Sequence, residues 1–286
     1  MNETLKRGIS GAVYIILLIA SILFSKESFF VLFGVFLAIT IFEFCSLIQI
    51  NKIAPIILGT SLYVSIILAN HYKQKLNLAF DINSKQLNLV LLVITLVVSV
   101  KCILFLFYDR IQSISNSSKY LYLLGYIILP FIFITEISFG IDDYNPKIII
   151  GLFILVWTND TFAYIVGKSI GKHKLFERIS PKKTIEGFLG GVVFAILAGV
   201  LISKFYIKAS PQFSSKSILI WVTIAILVSV IGTVGDLIES KFKRIANVKD
   251  SGKIMPGHGG ILDRLDSVIF VAPFVFLFYQ ILNYVS

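Results

Sequence analysis

The sequence predicts an all-α polytopic integral membrane protein of about nine transmembrane helices, with the N-terminus inside and the C-terminus outside. Three observations predict it. Of 286 residues, 57% are hydrophobic and only 15% charged, with mean hydropathy +0.89, whereas soluble domains carry about a quarter charged residues. Apolar stretches recur at the length needed to cross a ~30 Å hydrocarbon core. Lys and Arg fall unevenly on the connections between those stretches.

The stretches run near 10–25, 28–49, 54–70, 87–108, 120–138, 147–167, 184–204, 217–238 and 265–285. The first follows MNETLKRGIS with no cleavage signature, and reads as a retained span. The N-terminal half, up to about residue 140, with aromatics such as Phe29, Phe30, Phe33 and Phe36 in the second stretch, reads as lipid-facing and packing scaffold, and the buried acid Glu43 in that stretch as a structural hydrogen-bond partner. The organisation expected is an N-terminal transmembrane scaffold over 1–140 and a C-terminal catalytic transmembrane region over 141–286, in one membrane-embedded unit.

With the N-terminus inside, that side receives Lys6, Arg7, Lys52, Arg110, Lys119 and the groups Lys168 to Lys183 and Lys241 to Arg264. The other side receives Lys26, Lys73, Lys75, Lys85, Lys147, Lys204, Lys208 and Lys216, and Lys101 lies inside a span. Both cation-rich loops then face the nucleotide-containing compartment. A net charge of +10 would suit nucleic acid, but the basic residues are dispersed among apolar spans, which sets orientation instead and argues against that partner. Cys45 and Cys102 both lie in apolar runs, so neither a disulfide framework nor a metal cluster is expected.

Carboxylates inside spans are costly, about 2.5–3.5 kcal/mol each at a helix centre, and ask for a reason. Asp160 precedes Lys168 by eight residues, or ~12 Å along a helix, and Asp236 precedes Lys241 by five. Each is either a metal ligand or the partner of a nearby lysine. Asp263 and Asp266 stand i, i+3 at the start of the last span, where both would point to one side and repel unless a cation lay between them. That pattern suits a divalent metal with hard oxygen ligands.

Between the last two spans runs SKFKRIANVKDSGKIMPGHGGILDRLDS, residues 240–267, a polar passage between apolar helices. Lys241, Lys243, Arg244, Lys249, Lys253 and Arg264 would neutralise phosphate oxygens. Gly259 and Gly260 would let backbone N–H groups approach an anion. His258 is read equally as general acid, phosphate donor or loop brace. The loop after the sixth span holds Lys168, Lys172, Lys174, Arg178, Lys182 and Lys183, which attract a polyanion or simply obey positive-inside topology. Gly187, Gly190 and Gly191 are read as close helix packing.

Residues 240–267 resemble the signature of the phosphatidate cytidylyltransferase (CDP-diacylglycerol synthase) family through Ser240, Lys243-Arg244, Lys249-Asp250, His258-Gly259-Gly260, Asp263-Arg264 and Asp266. WTNDTFAYIVGK and ISPKKTIEGFLGG, within 157–191, are similar to a second block of that family, though Lys168 stands where Arg is common and replaces a fork by a point charge. Upstream of residue 150 the resemblance rests on hydropathy and length. It implies transfer of a cytidylyl group from CTP to phosphatidate in phospholipid biosynthesis, at the cytoplasmic face of a bacterial inner membrane. It implies Mg2+ on Asp236 and Asp263, with Asp160 and Asp266 next and a second cation allowed. Catalytic roles would fall to Asp236, Asp263, Asp266, Lys243, Arg244 and His258, with substrate held by Lys182, Lys183, Ser240, Lys241, Lys249, Lys253, Gly259, Gly260 and Arg264. A homodimer is left open. The alternatives are a same-family enzyme acting on another lipid phosphate, and a cation-coupled transporter built around Asp160 and Asp236.

Overall fold

Long apolar segments, several of them opened by a capping residue, make nine helices among the described residues that can cross a membrane by length and composition. The computed structural model describes residues 3–73, 83–108, 114–139, 144–207 and 214–285. Lys75, Arg110 and Lys208, which enter the charge asymmetry, lie outside the described residues. Helix α1 (Glu3–Phe24) meets α2 (Lys26–Ile48) across the single residue Ser25, whose side chain accepts from Ser28 N in a capping box. Then come α3 (Ile53–His71) and α4 (Ser84–Phe107), the latter capped by Asn83. A fifth span runs through α5 (Asn116–Tyr122), a π-helical turn (Leu123–Ile128) and α6 (Leu129–Ile137). Asn145 caps α7 (Pro146–Ile170), which places Pro146 in the first turn, where its missing N–H costs nothing.

After α7 the chain forms a short antiparallel hairpin, β1 (Lys174–Phe176) and β2 (Ser180–Thr184), pairing Lys174 with Thr184 and Phe176 with Ser180. The all-α class stands, with this short hairpin set in the loop between the sixth and seventh spans. Thr184 ends β2 and caps α8 (Ile185–Leu201), accepting from Gly187 N at 3.2 Å. A second π-helical turn (Ile202–Ile207) extends α8. Helix α9 (Ser214–Ile245) has 32 residues, about 48 Å against a ~30 Å core, so part of it stands beyond the hydrocarbon. Helix α10 (Leu262–Val285) closes the chain. The protein is an integral membrane protein.

The chain divides into two compact units, Met1–Glu136 with Phe242–Leu265, and Ile137–Lys241 with Asp266–Ser286. In the first, Phe29, Phe33, Phe44, Phe131 and Phe133 are fully buried, so these aromatics pack rather than face lipid. Phe242 is ringed by Phe44 at 5.0 Å, Phe105 at 4.9 Å, Tyr122 at 5.4 Å and Tyr126 at 5.8 Å between centroids. That collar fixes the residue immediately before Lys243. In the second unit, Gly187, Gly190 and Gly191 lie against α7, where a Cβ on Gly187 would come 2.6 Å from Ala163 O and one on Gly190 2.6 Å from Val166 Cγ2. Gly151 and Gly199 similarly admit Trp221.

Candidate active site

In the first unit the polar passage is tied down by two carboxylates. Asp263, at the start of α10, receives Lys243 Nζ at 2.8 Å on one oxygen. Its other oxygen accepts from Ser251 N at 2.9 Å, Ser251 Oγ at 2.8 Å and Gly260 N at 2.7 Å. Gly259, at φ +87, passes against the same carboxylate, a path that suits glycine alone. Gly260 N–H therefore holds Asp263.

The second carboxylate is Glu43, 2% exposed, from the middle of the N-terminal region. It accepts from Ile261 N at 3.2 Å, Leu262 N at 2.8 Å and Ser251 Oγ at 3.4 Å. The first N–H groups of a helix lack partners within it, and Glu43 supplies them from another helix, where a negative charge also suits the dipole. Gly252 and Gly260 press against its carboxylate, where any side chain would collide. The structural role read from sequence is thus specific: Glu43 shapes the turn that presents Asp263. The only signal for it in the sequence is a lone acid in an apolar helix.

Ahead of α10, Pro256 to Gly260 make a tight turn, with Met255 N donating to Gly259 O at 2.9 Å, His258 N to Met255 O at 2.9 Å, and Gly257 at φ +77. His258 Nδ1 lies 2.8 Å from Ser10 Oγ, and Arg264 donates to His258 O at 3.0 Å. Of the three roles left open for His258, this geometry favours the brace. Partial burial and the nearby Arg264 and Arg7 charges hold its imidazole below the ordinary histidine range. A cleft of about 520 Å³ opens here, lined among others by Arg7, Lys249, Asp250, Lys253, His258 and Arg264. Arg244, at the end of α9, donates to Val248 O at 3.3 Å and so closes that helix.

In the second unit Asp236 pairs with Lys183 Nζ at 2.6 Å and accepts from Ser240 Oγ at 3.2 Å. The lysine expected nearby was Lys241, which instead is 3% exposed. Lys183 reaches Asp236 because β2 carries it there, while its neighbour Lys182 is exposed. Beyond the hairpin Glu186 accepts from Lys172 N and His173 N and lies 2.6 Å from His173 Nδ1, which pins the start of α8. Asp160 is exposed on α7 and accepts from Asn159 Nδ2 at 3.2 Å, while Asp266 accepts from Ser267 N at 2.6 Å.

Among the described residues no group of three or more His, Cys, Asp or Glu side chains gathers as a metal cage. Mg2+ commonly takes one or two protein carboxylates and completes its shell with water and phosphate oxygens. The carboxylates of Asp263 and Asp236, each already facing a cation, fit that demand in chemical type. Sequence reasoning named these acids and missed Glu43 as turn former, Ser251, and the contribution of α1 through Arg7 and Ser10.

The family model described as "Cytidylyltransferase family" matches residues 5–282. The chain is similar to the phosphatidate cytidylyltransferase of Bacillus subtilis (strain 168), with 46% identity over 151 residues, 53% of this chain and 54% of that protein. A phosphatidate cytidylyltransferase of Staphylococcus epidermidis is 48% identical over 127 residues, 44% of this chain and 46% of its own length. One of Staphylococcus haemolyticus is 48% identical over 121 residues, 42% and 44%. The matched region spans about half the length of these curated relatives.

Proposed function

Because the chain belongs to the cytidylyltransferase family, we propose that it transfers a cytidylyl group from CTP to phosphatidate, giving CDP-diacylglycerol and pyrophosphate. The names of its relatives support this reading over cation transport. The observation that carries it is the first unit's arrangement of a locked Asp263–Lys243 pair beside a cationic cleft.

A phosphate oxygen of phosphatidate attacks the α-phosphorus of CTP, a new P–O bond forms, the bond to the β-phosphate oxygen breaks, and pyrophosphate leaves. The nucleophile is already ionised near neutral pH, so no strong base is needed. Two anions must approach, and the protein's task is therefore positioning and charge neutralisation. Lys243 and Arg264 in the first unit and Lys183 in the second are the cations that would supply it, a reading supported by their carboxylate partners and the cleft. The Ser251 and Gly260 hydrogen bonds keep the Asp263 carboxylate in one orientation. Asp236 and Asp263 are the carboxylates that would hold Mg2+, with Asp160 and Asp266 next and a second cation allowed. Bound metal would neutralise charge on phosphate oxygens. One substrate is dissolved in the cytoplasm and the other anchored in lipid, which supports an N-in, C-out orientation in a bacterial inner membrane, the site facing the cytoplasm.

The test is a thin-layer assay of purified protein with CTP, Mg2+ and phosphatidate, repeated with dCTP, ATP and a polyprenyl phosphate. A CTP-dependent lipid product from phosphatidate is expected. Product from polyprenyl phosphate alone would move the assignment to another lipid phosphate, and no lipid product with any acceptor would refute it.

A further inference from the structure

The first turns of α1 look like a topological anchor in the sequence, yet they build one wall of the cleft. Ser10 Oγ donates to Pro256 O at 3.0 Å and lies 2.8 Å from His258 Nδ1. Gly11 leaves room for the imidazole edge, which a Cβ there would meet at 3.3 Å. The stem of Arg7 lies over Gly257, where a Cβ would fall 2.5 Å from Arg7 Cγ. These contacts fix the start of α1 against the glycine turn.

Arg7, Lys249, Lys253 and Arg264 then converge on one cleft with a single carboxylate, Asp250, among its lining residues. Among the described residues none of the four cations stands in an ion pair with a carboxylate. Four cations against one anion repel one another, and an anion rich in phosphate oxygens relieves that repulsion. Arginine adds a planar fork that lysine lacks.

We infer that this cleft binds a phosphate group of an anionic substrate, and that Arg7 of α1 is one of its binding residues. The inference rests on the reading of the chain as a cytidylyltransferase for the identity of the ligand, which is either the phosphate monoester of the lipid or the polyphosphate of the nucleotide.

Full-length wild type, Arg7→Ala, Arg7→Lys and Lys6→Ala are compared in detergent. Lys6→Ala removes the same charge from the same helix end, so a purely topological effect would appear in both alanine variants. Loss of one charged hydrogen bond predicts that Arg7→Ala raises one KM by about tenfold to a hundredfold with kcat little changed. A rise in KM for phosphatidate assigns the lipid head group, and a rise in KM for CTP assigns the triphosphate. Arg7→Lys should recover part of the loss. Unchanged KM for both substrates, or an equal rise in Lys6→Ala, overturns the inference.

Equilibrium titration with inorganic pyrophosphate separates this from the functional reading, since it needs no turnover. About tenfold weaker binding by Arg7→Ala is expected, and equal binding overturns the site. If wild type forms no lipid product yet binds pyrophosphate through Arg7, the activity assignment fails while the cleft stands. Should Arg7→Ala not fold, Lys253→Ala and Arg7→Lys carry the same titration, with weaker binding expected and equal binding overturning it.

Discussion

Replacing Glu43 by leucine tests whether one acid in the N-terminal half shapes the turn that presents Asp263. Two backbone N–H groups, of Ile261 and Leu262, donate to its carboxylate at 3.2 and 2.8 Å. Ile261 and Leu262 are 4% and 0% exposed, so water cannot replace the lost acceptor. Each orphaned buried N–H costs about 1–3 kcal/mol, giving about 2–6 kcal/mol for the pair. Recovery of the carboxylate's own desolvation lowers the net loss to about 2–4 kcal/mol. Glu43→Gln keeps one acceptor and sets an amide N–H against a backbone donor, and should lose about 1–3 kcal/mol. The assay is equilibrium unfolding in mixed micelles, paired with hydrogen exchange of the segment around residues 259–265. The expected order is wild type, then Gln, then Leu, with faster exchange at Ile261 and Leu262 and a fall in kcat as Asp263 loses its fixed turn. Wild-type stability and unchanged protection of those amides in Glu43→Leu would refute the reasoning.

Three other outcomes follow from the geometry. Asp263→Asn should cut incorporation of labelled CTP into chloroform-soluble lipid by about a hundredfold or more while the protein stays inserted, because it breaks the pair with Lys243; full activity would remove Asp263 from the mechanism. His258 has a folded pKa below its ordinary value, so the unfolded chain binds more protons and stability should fall as pH drops below about 6.5. Thermal unfolding across pH 5 to 8 should show that slope in wild type and a smaller one in His258→Gln. Gly187→Ala should destabilise the second unit by about 1–3 kcal/mol, since its methyl would meet Ala163 O on α7, and unfolding at unchanged denaturant midpoint would contradict this.

The spans were legible because hydrocarbon thickness imposes one length on every crossing helix, and apolar runs of that length stand out. The exact boundaries follow caps such as Ser25, Asn145 and Thr184, which apolar runs alone do not mark. The β1–β2 hairpin was not legible: three and five residues with Pro181 among six cations carry no alternating pattern, and within 174–184 only Ile179 and Thr184 are buried. In the site, charge and glycine content marked the passage 240–267, since a polyanion needs both. Which groups touch was hidden. Lys183 with Asp236, Glu43 with Leu262, and Arg7 over Gly257 join residues far apart in sequence, and periodicity reports only local faces. Lys241, expected to hold substrate phosphate, is 3% exposed, because its position on α9 faces the packed side.

The span between Glu43 and its partners has a consequence for biogenesis. Glu43 enters the bilayer with α2, yet Ser251 is made 208 residues later. At about 5–20 residues per second of translation, the acid waits about 10–40 s for the hydrogen bonds that make it tolerable. During that interval the carboxyl lacks the Ser251, Ile261 and Leu262 donors that satisfy it in the folded protein. The acid in the second span is therefore satisfied only once the turn before α10 has been made, so an early helix depends on a late segment.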